Sequence, residues 1–394
     1  MKKILSLLLF AVCTITLPGQ VPDLPLLKVF DKAYRIAPQQ NFLLSPWGIQ
    51  QCFGMIAGGA GQISAEELSQ TLGLDQHNMM ELQQAHQSLS NCSKELNNFN
   101  AVFFDQQYTL QQQFINNSVR HCNGRFYGVD FRHKDKCLMQ INDIVKRESR
   151  GQFEQLFTPE TLANKPAMVI MNVFYFKDHW QNCFKKYNTR PELFTIPDYT
   201  SKNSQPDHVQ IKMMNDSRFV PYCNDGTIHG ITLSYQNRRF KLLLLTAVDL
   251  HTPLSVVTAA LARHGLDYFL NKSSSKNKTV IKIPQLNLSG NLDLNELLTP
   301  LGMKTIFDPQ LGDLTGIAEG KTLYIDKARQ LLKLKLDENG TEAAAVTYAL
   351  PKAASAPPRK EKFNFFYADH PFVLVLFDTT TRAIILAGIV VDPR

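Results

Sequence analysis

The chain changes character at residue 338. From Leu332 to Asp337 it alternates, with Leu332, Leu334 and Leu336 set between Lys333, Lys335 and Asp337, which is the period of a strand with one buried face. Next comes Glu338-Asn339-Gly340-Thr341-Glu342-Ala343-Ala344-Ala345-Val346-Thr347, whose side chains are nearly all small. If this segment joined a sheet, Thr341, Ala343, Ala345, Thr347, Ala349 and Pro351 would share one face, all compact and none charged. Glu342, Ala344, Val346, Tyr348 and Leu350 would line the other face. The same residues also read as an Ala-rich linker or a short helix, because Ala is the best helix former. Such a segment can lie exposed or be buried, and the local pattern leaves both open.

A chain of 394 residues with 44% hydrophobic content can bury a large core, and its length alone suggests two or three domains. No Pro/Gly/Ser-rich linker, composition break or internal repeat divides it, so one domain is expected over residues 20–394. The net charge is only +7 and the Lys and Arg are scattered, which gives no reason to expect nucleic acid. Lys2-Lys3 precedes the apolar run Ile4 to Val12 and a small-residue exit at Leu17-Pro18-Gly19. This reads as a secretory signal peptide over residues 1–19, too short for a membrane span, the competing reading being a first core helix or strand. No later run of twenty apolar residues occurs, so no membrane is expected. Without Cys13, six cysteines remain: Cys52, Cys92, Cys122, Cys137, Cys183 and Cys223. An even number permits disulfides in an oxidising compartment, but Cys52 sits in an apolar helical run and is expected as a buried thiol. There is no Cys-x-x-Cys, and His121-Cys122 has no partner at ligand spacing, so no metal is expected.

Periodicity predicts helices over Leu24 to Ala37, Trp47 to Ala60, Met79 to Leu96 and Ile141 to Arg150. Strand-like runs are Phe99 to Phe104, Met168 to Phe176, Leu242 to Leu245, Val280 to Ile283, Leu323 to Ile325, Val373 to Phe377 and Ile384 to Val391. The mixture is α+β, with strands predominating in the second half. Gly-x-Ser-x-Gly, His-Glu-x-x-His, Gly-x-x-x-x-Gly-Lys and Gly-x-Gly-x-x-Gly are all missing, and no catalytic residue is assigned. A triad stays open because its members need not be neighbours in sequence.

The stretch Glu338 to Thr347 resembles the hinge of the reactive-centre loop of inhibitory serpins, and lies where that family carries it. The likeness extends to further blocks in the same order: Asn41-Phe-Leu-Leu-Ser-Pro46, Gly59-Ala60-Gly61 with Ser64-Ala-Glu-Glu-Leu68 and Leu72-Gly73, Asn172-Val-Phe-Tyr-Phe-Lys177 with Trp180 and Phe184, and Asp369-His-Pro-Phe372 with Gly388, Val390, Val391 and Pro393. It implies an α+β serpin fold: a large mixed sheet and two smaller ones, about eight or nine helices around them, and an exposed reactive-centre loop near 338–358. It also implies a monomer without cofactor, secreted or, in a bacterium, periplasmic. The implied function is suicide inhibition of serine proteases and, as a further class, cysteine proteases. The target cleaves the loop, stays acylated on it, and is carried off as the hinge inserts as a new strand. The alternative is a non-inhibitory serpin acting as carrier, chaperone or storage protein. Glu338, Gly340, Thr341, Glu342, Ala343, Ala344, Ala345 and Thr347 form the hinge, and its small inward side chains favour the inhibitor, since an unpaired buried charge costs several kcal/mol.

The family places its scissile bond about sixteen positions after the hinge glutamate, which gives Ala354-Ser355. A small residue there suits a shallow, elastase-like specificity pocket. Lys352 is the alternative and would invite a trypsin-like enzyme; Ala353 is a third choice. The region controlling sheet opening is represented by Ser45, Asn172, Trp180 and Gln330, with departures: Gln330 stands where many serpins carry His, and Gly48 replaces a second Ser. Gln285 stands where a Lys often pairs with the hinge glutamate, so Glu338 is expected to lack that ion pair. The helix that polyanion-binding serpins use corresponds to Met79 to Leu96 and carries essentially only Lys94, so polyanion binding there is not expected. Arg359-Lys360 with Lys362 reads as a solvated loop or as steering for an acidic protease surface. Seven Asn-x-Ser/Thr sequons mean glycans only if the source glycosylates.

Overall fold

The run Met168–Phe176 is a strand from end to end, and every residue in it is buried. Continuous apolar character of this kind belongs to a strand covered on both faces, and two layers supply the cover. Met168, Ile170, Phe174 and Phe176 point into the main core. Val169, Met171 and Val173 point the other way, against Cys137, Leu138, Ile141, Ile144 and Val145 of the helix Lys134–Glu148. The molecule is known here as a computed structural model that describes residues 24–92, 94–153, 157–158, 166–199, 205–318, 323–341 and 362–394. Residues 1–19, Glu342, Ala343, Ala344, Ala345, Thr347, Lys352, Ala353, Ala354, Ser355 and the Arg359-Lys360 pair lie outside the described residues.

Eight α-helices and three sheets, of seven, six and four strands, are formed among the described residues. The seven-stranded sheet runs in the order Gly124–Val129, Leu96–Asp105, Met168–Phe176, Lys327–Asp337, Gly340–Thr341, Asp178–His179, with Leu286–Asp293 also paired to Lys327–Asp337. It is mixed: Met168–Phe176 lies parallel to Lys327–Asp337 and antiparallel to Leu96–Asp105. The six-stranded sheet gathers Phe42–Leu44 beside the C-terminal strands Ile384–Val390 and Phe372–Asp378. The four-stranded sheet is ordered Phe363–Tyr367, Lys278–Pro284, Asp207–Phe219, Arg190–Ile196. Helix Pro46–Ala57 starts where its sequence dictates: Ser45 caps it by accepting from the Gly48 N–H, and Pro46 fills the first turn, where no N–H is needed.

Two expectations need correction. Leu323 to Ile325 is not a strand; Leu323 and Ile325 are buried, and the Ile325 N–H donates to the Ile306 carbonyl at 2.9 Å. Their alternation marks a loop plugging the core. The helix expected over Met79 to Leu96 is Gln76–Ser90. The chain turns at Cys92, whose N–H donates to Leu89 O, and Leu96–Asp105 is already strand. Lys94 therefore lies beyond the helix, and the helix itself carries neither Lys nor Arg. The six cysteines from Cys52 onward are free thiols, Cys52 being fully buried.

Burial also sets an acid sensitivity. His86 is 7% exposed and stacks on Trp47 at 6.0 Å. Its burial, and then the nearby His121, lower its pKa from 6.5 to about 4. The folded state thus resists a proton that the unfolded chain accepts near pH 6.5, so this contribution to stability is present above that pH and is lost as pH falls toward 4. Its full extent is on the order of a few kcal/mol. The melting temperature should drop between pH 6.5 and 4.5, and His86→Phe, which keeps the stack, should flatten the drop. Equal pH slopes for both proteins would refute the assignment.

Candidate functional site

Two clusters on the large sheet hold those residues expected at the hinge and in the sheet-opening region that the structure describes. The first is the turn after Lys327–Asp337. Asn339 N–H donates to Asp337 Oδ1 at 2.7 Å, closing the turn locally. Trp180 ties it from outside: its indole Nε1 donates to Asp337 O at 2.9 Å and its backbone N–H to Asn339 O at 2.8 Å. Phe184 N–H donates to Glu338 O at 2.8 Å. Glu338 is buried and its Oε1 accepts from Gln285 Nε2 at 2.8 Å. The amide at 285 thus keeps the hinge glutamate hydrogen-bonded without an ammonium group.

The chain then enters the sheet. Gly340 and Thr341 pair with Asp337 and Leu336 on one side and with His179 and Asp178 on the other. Gly340 has φ +152°, and a Cβ there would overlap the Asp178 carbonyl oxygen and lie 2.7 Å from His179 Cα. Only glycine fits. Thr341 is fully buried, and its Oγ1 lies 2.7 Å from the Tyr235 hydroxyl. Tyr235 in turn stacks on Trp180 at 4.5 Å. Trp180 is therefore both a core aromatic and the post that holds the turn. Beside Thr341, burial raises the Asp178 carboxyl against the opposing His179 N–H.

The second cluster is a chain of amides. Gln330 stands opposite Asn172, and Asn172 opposite Asn100, across three neighbouring strands, and all three are fully buried. Gln330 Oε1 accepts from Ser45 N–H at 2.9 Å, and its Nε2 donates to Ser45 O at 3.0 Å and to Asn172 Oδ1 at 2.9 Å. Asn172 Nδ2 donates to Asn98 Oδ1 at 2.6 Å and Asn100 Oδ1 at 2.8 Å. Asn100 Nδ2 donates to Cys122 O at 3.0 Å. Ser45 Oγ completes the set by donating to Ile385 O at 2.6 Å. Gly48 is required here too, since a Cβ would overlap Asn172 Oδ1. Sequence reasoning singled out Ser45, Asn172 and Gln330 and missed Asn98, Asn100 and Tyr235. Asn98 and Asn100, two apart in a strand, share a face and could have been read as a polar pair. Nothing local marks Tyr235.

A sequence model of the family described as serpin (serine protease inhibitor) matches residues 26–393. The chain belongs to the serpin family. Leukocyte elastase inhibitor A of Rattus norvegicus is 25% identical over 378 residues, which cover 93% of this chain and 97% of that protein. The solved structure of thyroxine-binding globulin with thyroxine superposes with a TM-score of 0.80 at 23% identity, covering 94% of this serpin and 97% of that chain. Native protease nexin-1 with heparin gives 0.81 at 22% identity, covering 95% and 99%. The three sheets and eight helices are those of the serpin fold.

Among the described residues one carboxylate–imidazole–hydroxyl alignment occurs: Asp369 Oδ1 lies 2.9 Å from His370 Nδ1, and His370 Nε2 lies 2.9 Å from Thr246 Oγ1. Thr246 is fully buried and its hydroxyl donates to Pro371 O at 2.8 Å, so no substrate carbonyl can reach it. Among the described residues no three His, Cys, Asp or Glu are placed to hold a metal, and no helix is long and apolar enough to cross a membrane.

Proposed function

We propose that this serpin is an exported, monomeric suicide inhibitor of serine proteases, with Ala354-Ser355 as bait and an elastase-like target. One observation carries the reading: Thr341 is already seated in the large sheet while the slot beneath it is closed. Below Thr341, Lys327–Lys333 pairs directly with Val169–Tyr175. A strand entering between them replaces one ladder with two. About ten inserted residues at roughly 1 kcal/mol net per hydrogen bond supply on the order of 10 kcal/mol, and the inward residues from Thr341 onward are small. The protease serine attacks the Ala354 carbonyl and releases the Ser355 amine, leaving Ala354 acylated on the enzyme. Insertion starting at Thr341 then drags the acyl-enzyme away before water hydrolyses it. A cysteine protease would be held as the corresponding thioester.

Incubation with pancreatic elastase and with trypsin, followed by a denaturing gel, tests this. The expected result is a detergent-stable adduct of combined mass with elastase, and a released peptide that begins at Ser355. A peptide beginning at Ala353 moves the bait to Lys352 and the target to a trypsin-like enzyme. The nicked protein should melt well above the intact one. Clean nicking without adduct, with unchanged melting, would instead support a carrier, chaperone or storage protein.

A further inference from the structure

The four-stranded sheet turns aromatic side chains to solvent. Phe219, Lys278 and Phe363 are in register across three strands, and Ser217, Val280 and Phe365 form the next row. Paired residues point to the same side of a sheet. Phe219 is 62% exposed, Phe363 42% and Phe365 53%, whereas Phe366, one residue on and facing inward, is fully buried. Leaving such rings in water forgoes the gain of burying them, and a cluster of them marks an interaction surface. Its rim is basic: Lys276 and Lys362 are exposed at the strand ends. Among the described residues, the Glu192 carboxylate on this sheet is already held by Lys282 at 2.6 Å. An aromatic centre with cationic surroundings fits a partner patch that is apolar and acidic.

The chain itself says which partner comes close. Ser355 precedes Phe363 by eight residues, so this face begins within about 29 Å of the bait bond. A protease domain of roughly 230 residues has a radius of gyration of about 17 Å, and is thus about 45 Å across. A body of that width exceeds the longest distance that eight residues allow between the bait bond and Phe363. We infer that the face bearing Phe219, Phe365 and Lys278 is a second contact for the target protease, engaging an apolar and acidic patch outside the protease's active site. This rests on the inhibitor reading above. The contact sets how fast the target is captured, and leaves the insertion that follows untouched.

The test uses the full chain and whichever of pancreatic elastase and trypsin forms the adduct faster. Phe219→Ser combined with Phe365→Ser should lower the second-order rate of adduct formation at least tenfold, with stoichiometry of inhibition and melting temperature unchanged. Lys278→Ala should weaken the salt dependence of that rate. A double-variant rate within twofold of the wild type overturns the inference, as does a fall accompanied by altered melting or stoichiometry. A wild-type dimer in gel filtration that the double variant dissociates assigns the face to a second copy and also overturns it. If the wild type forms no adduct with either protease, the inhibitor reading fails and this inference fails with it; a wild type that forms adduct beside an unaffected variant sinks this inference alone.

Discussion

On the inhibitor reading, Thr341→Arg is expected to convert this serpin from trap to substrate: the loop is still cut, but the adduct is lost. Thr341 is fully buried, paired on both sides, and within 2.7 Å of the Tyr235 hydroxyl. A guanidinium there must either shed its water in a site built from Leu336, Tyr235 and Trp180, or keep the hinge out of the sheet. Burial without a partner costs several kcal/mol. A penalty of about 3 kcal/mol on insertion slows it roughly a hundredfold, while hydrolysis of the acyl-enzyme proceeds at its own rate. The trapped fraction is the insertion rate divided by the sum of the two rates, so adduct is lost once the slowed insertion falls below hydrolysis. Thr341→Val is the control. It keeps the volume and forfeits the contact with Tyr235, which is worth about 1 kcal/mol, so most of the adduct should survive. Equal adduct yields for Thr341→Arg and wild type on a denaturing gel would sink the role given to this residue.

How far the fold was legible follows from which interactions are local. Met168–Phe176 agrees with its apolar run residue for residue, because a strand covered on both faces advertises itself in every side chain. Asp207–Phe219 is legible only in part: Val209, Ile211 and Met213 alternate with Gln210 and Lys212, but Asn215-Asp-Ser-Arg218 carries no strand pattern, and there its neighbours in the sheet decide its state. Helix Leu254–Asn271 was missed as well, and Gly265 breaks its period with a φ of +71°. At the hinge, small size and lack of charge could be read from the chain, but the insertion of Gly340 and Thr341 could not. It depends on Asp178, Trp180 and Tyr235, more than a hundred residues earlier in the sequence. Gln330 could be credited in advance with donors and acceptors, whereas its use of all of them toward Ser45 and Asn172 is a property of the assembled sheet.

On the inhibitor reading, that use makes Gln330 the gate of the slot. The strand that enters below Thr341 must part Gln330 from Asn172, so their hydrogen bond at 2.9 Å is among those that resist opening. Gln330→Ala leaves the buried Ser45 N–H and Asn172 Oδ1 without these partners, at about 1–3 kcal/mol each. The intact protein should therefore melt several degrees lower and lose inhibitory activity faster on incubation at 37 °C, by premature opening of the sheet. Gln330→His separates geometry from charge. A neutral imidazole offers one donor and one acceptor, so it can replace at most two of the three bonds that the amide makes. Once protonated it has no acceptor left, and the Ser45 N–H loses its partner. Since the ordinary pKa of His is about 6.5, the gate of the Gln330→His variant should open faster as pH falls through that range. An amide does not titrate, so the native gate should contribute no such dependence. The measurement is the half-life of inhibitory activity for Gln330→His and for wild type at pH 8 and pH 5.5, with the slope contributed by His86 common to both. A ratio of half-lives that is the same at the two pH values would show that residue 330 does not control the opening of the sheet.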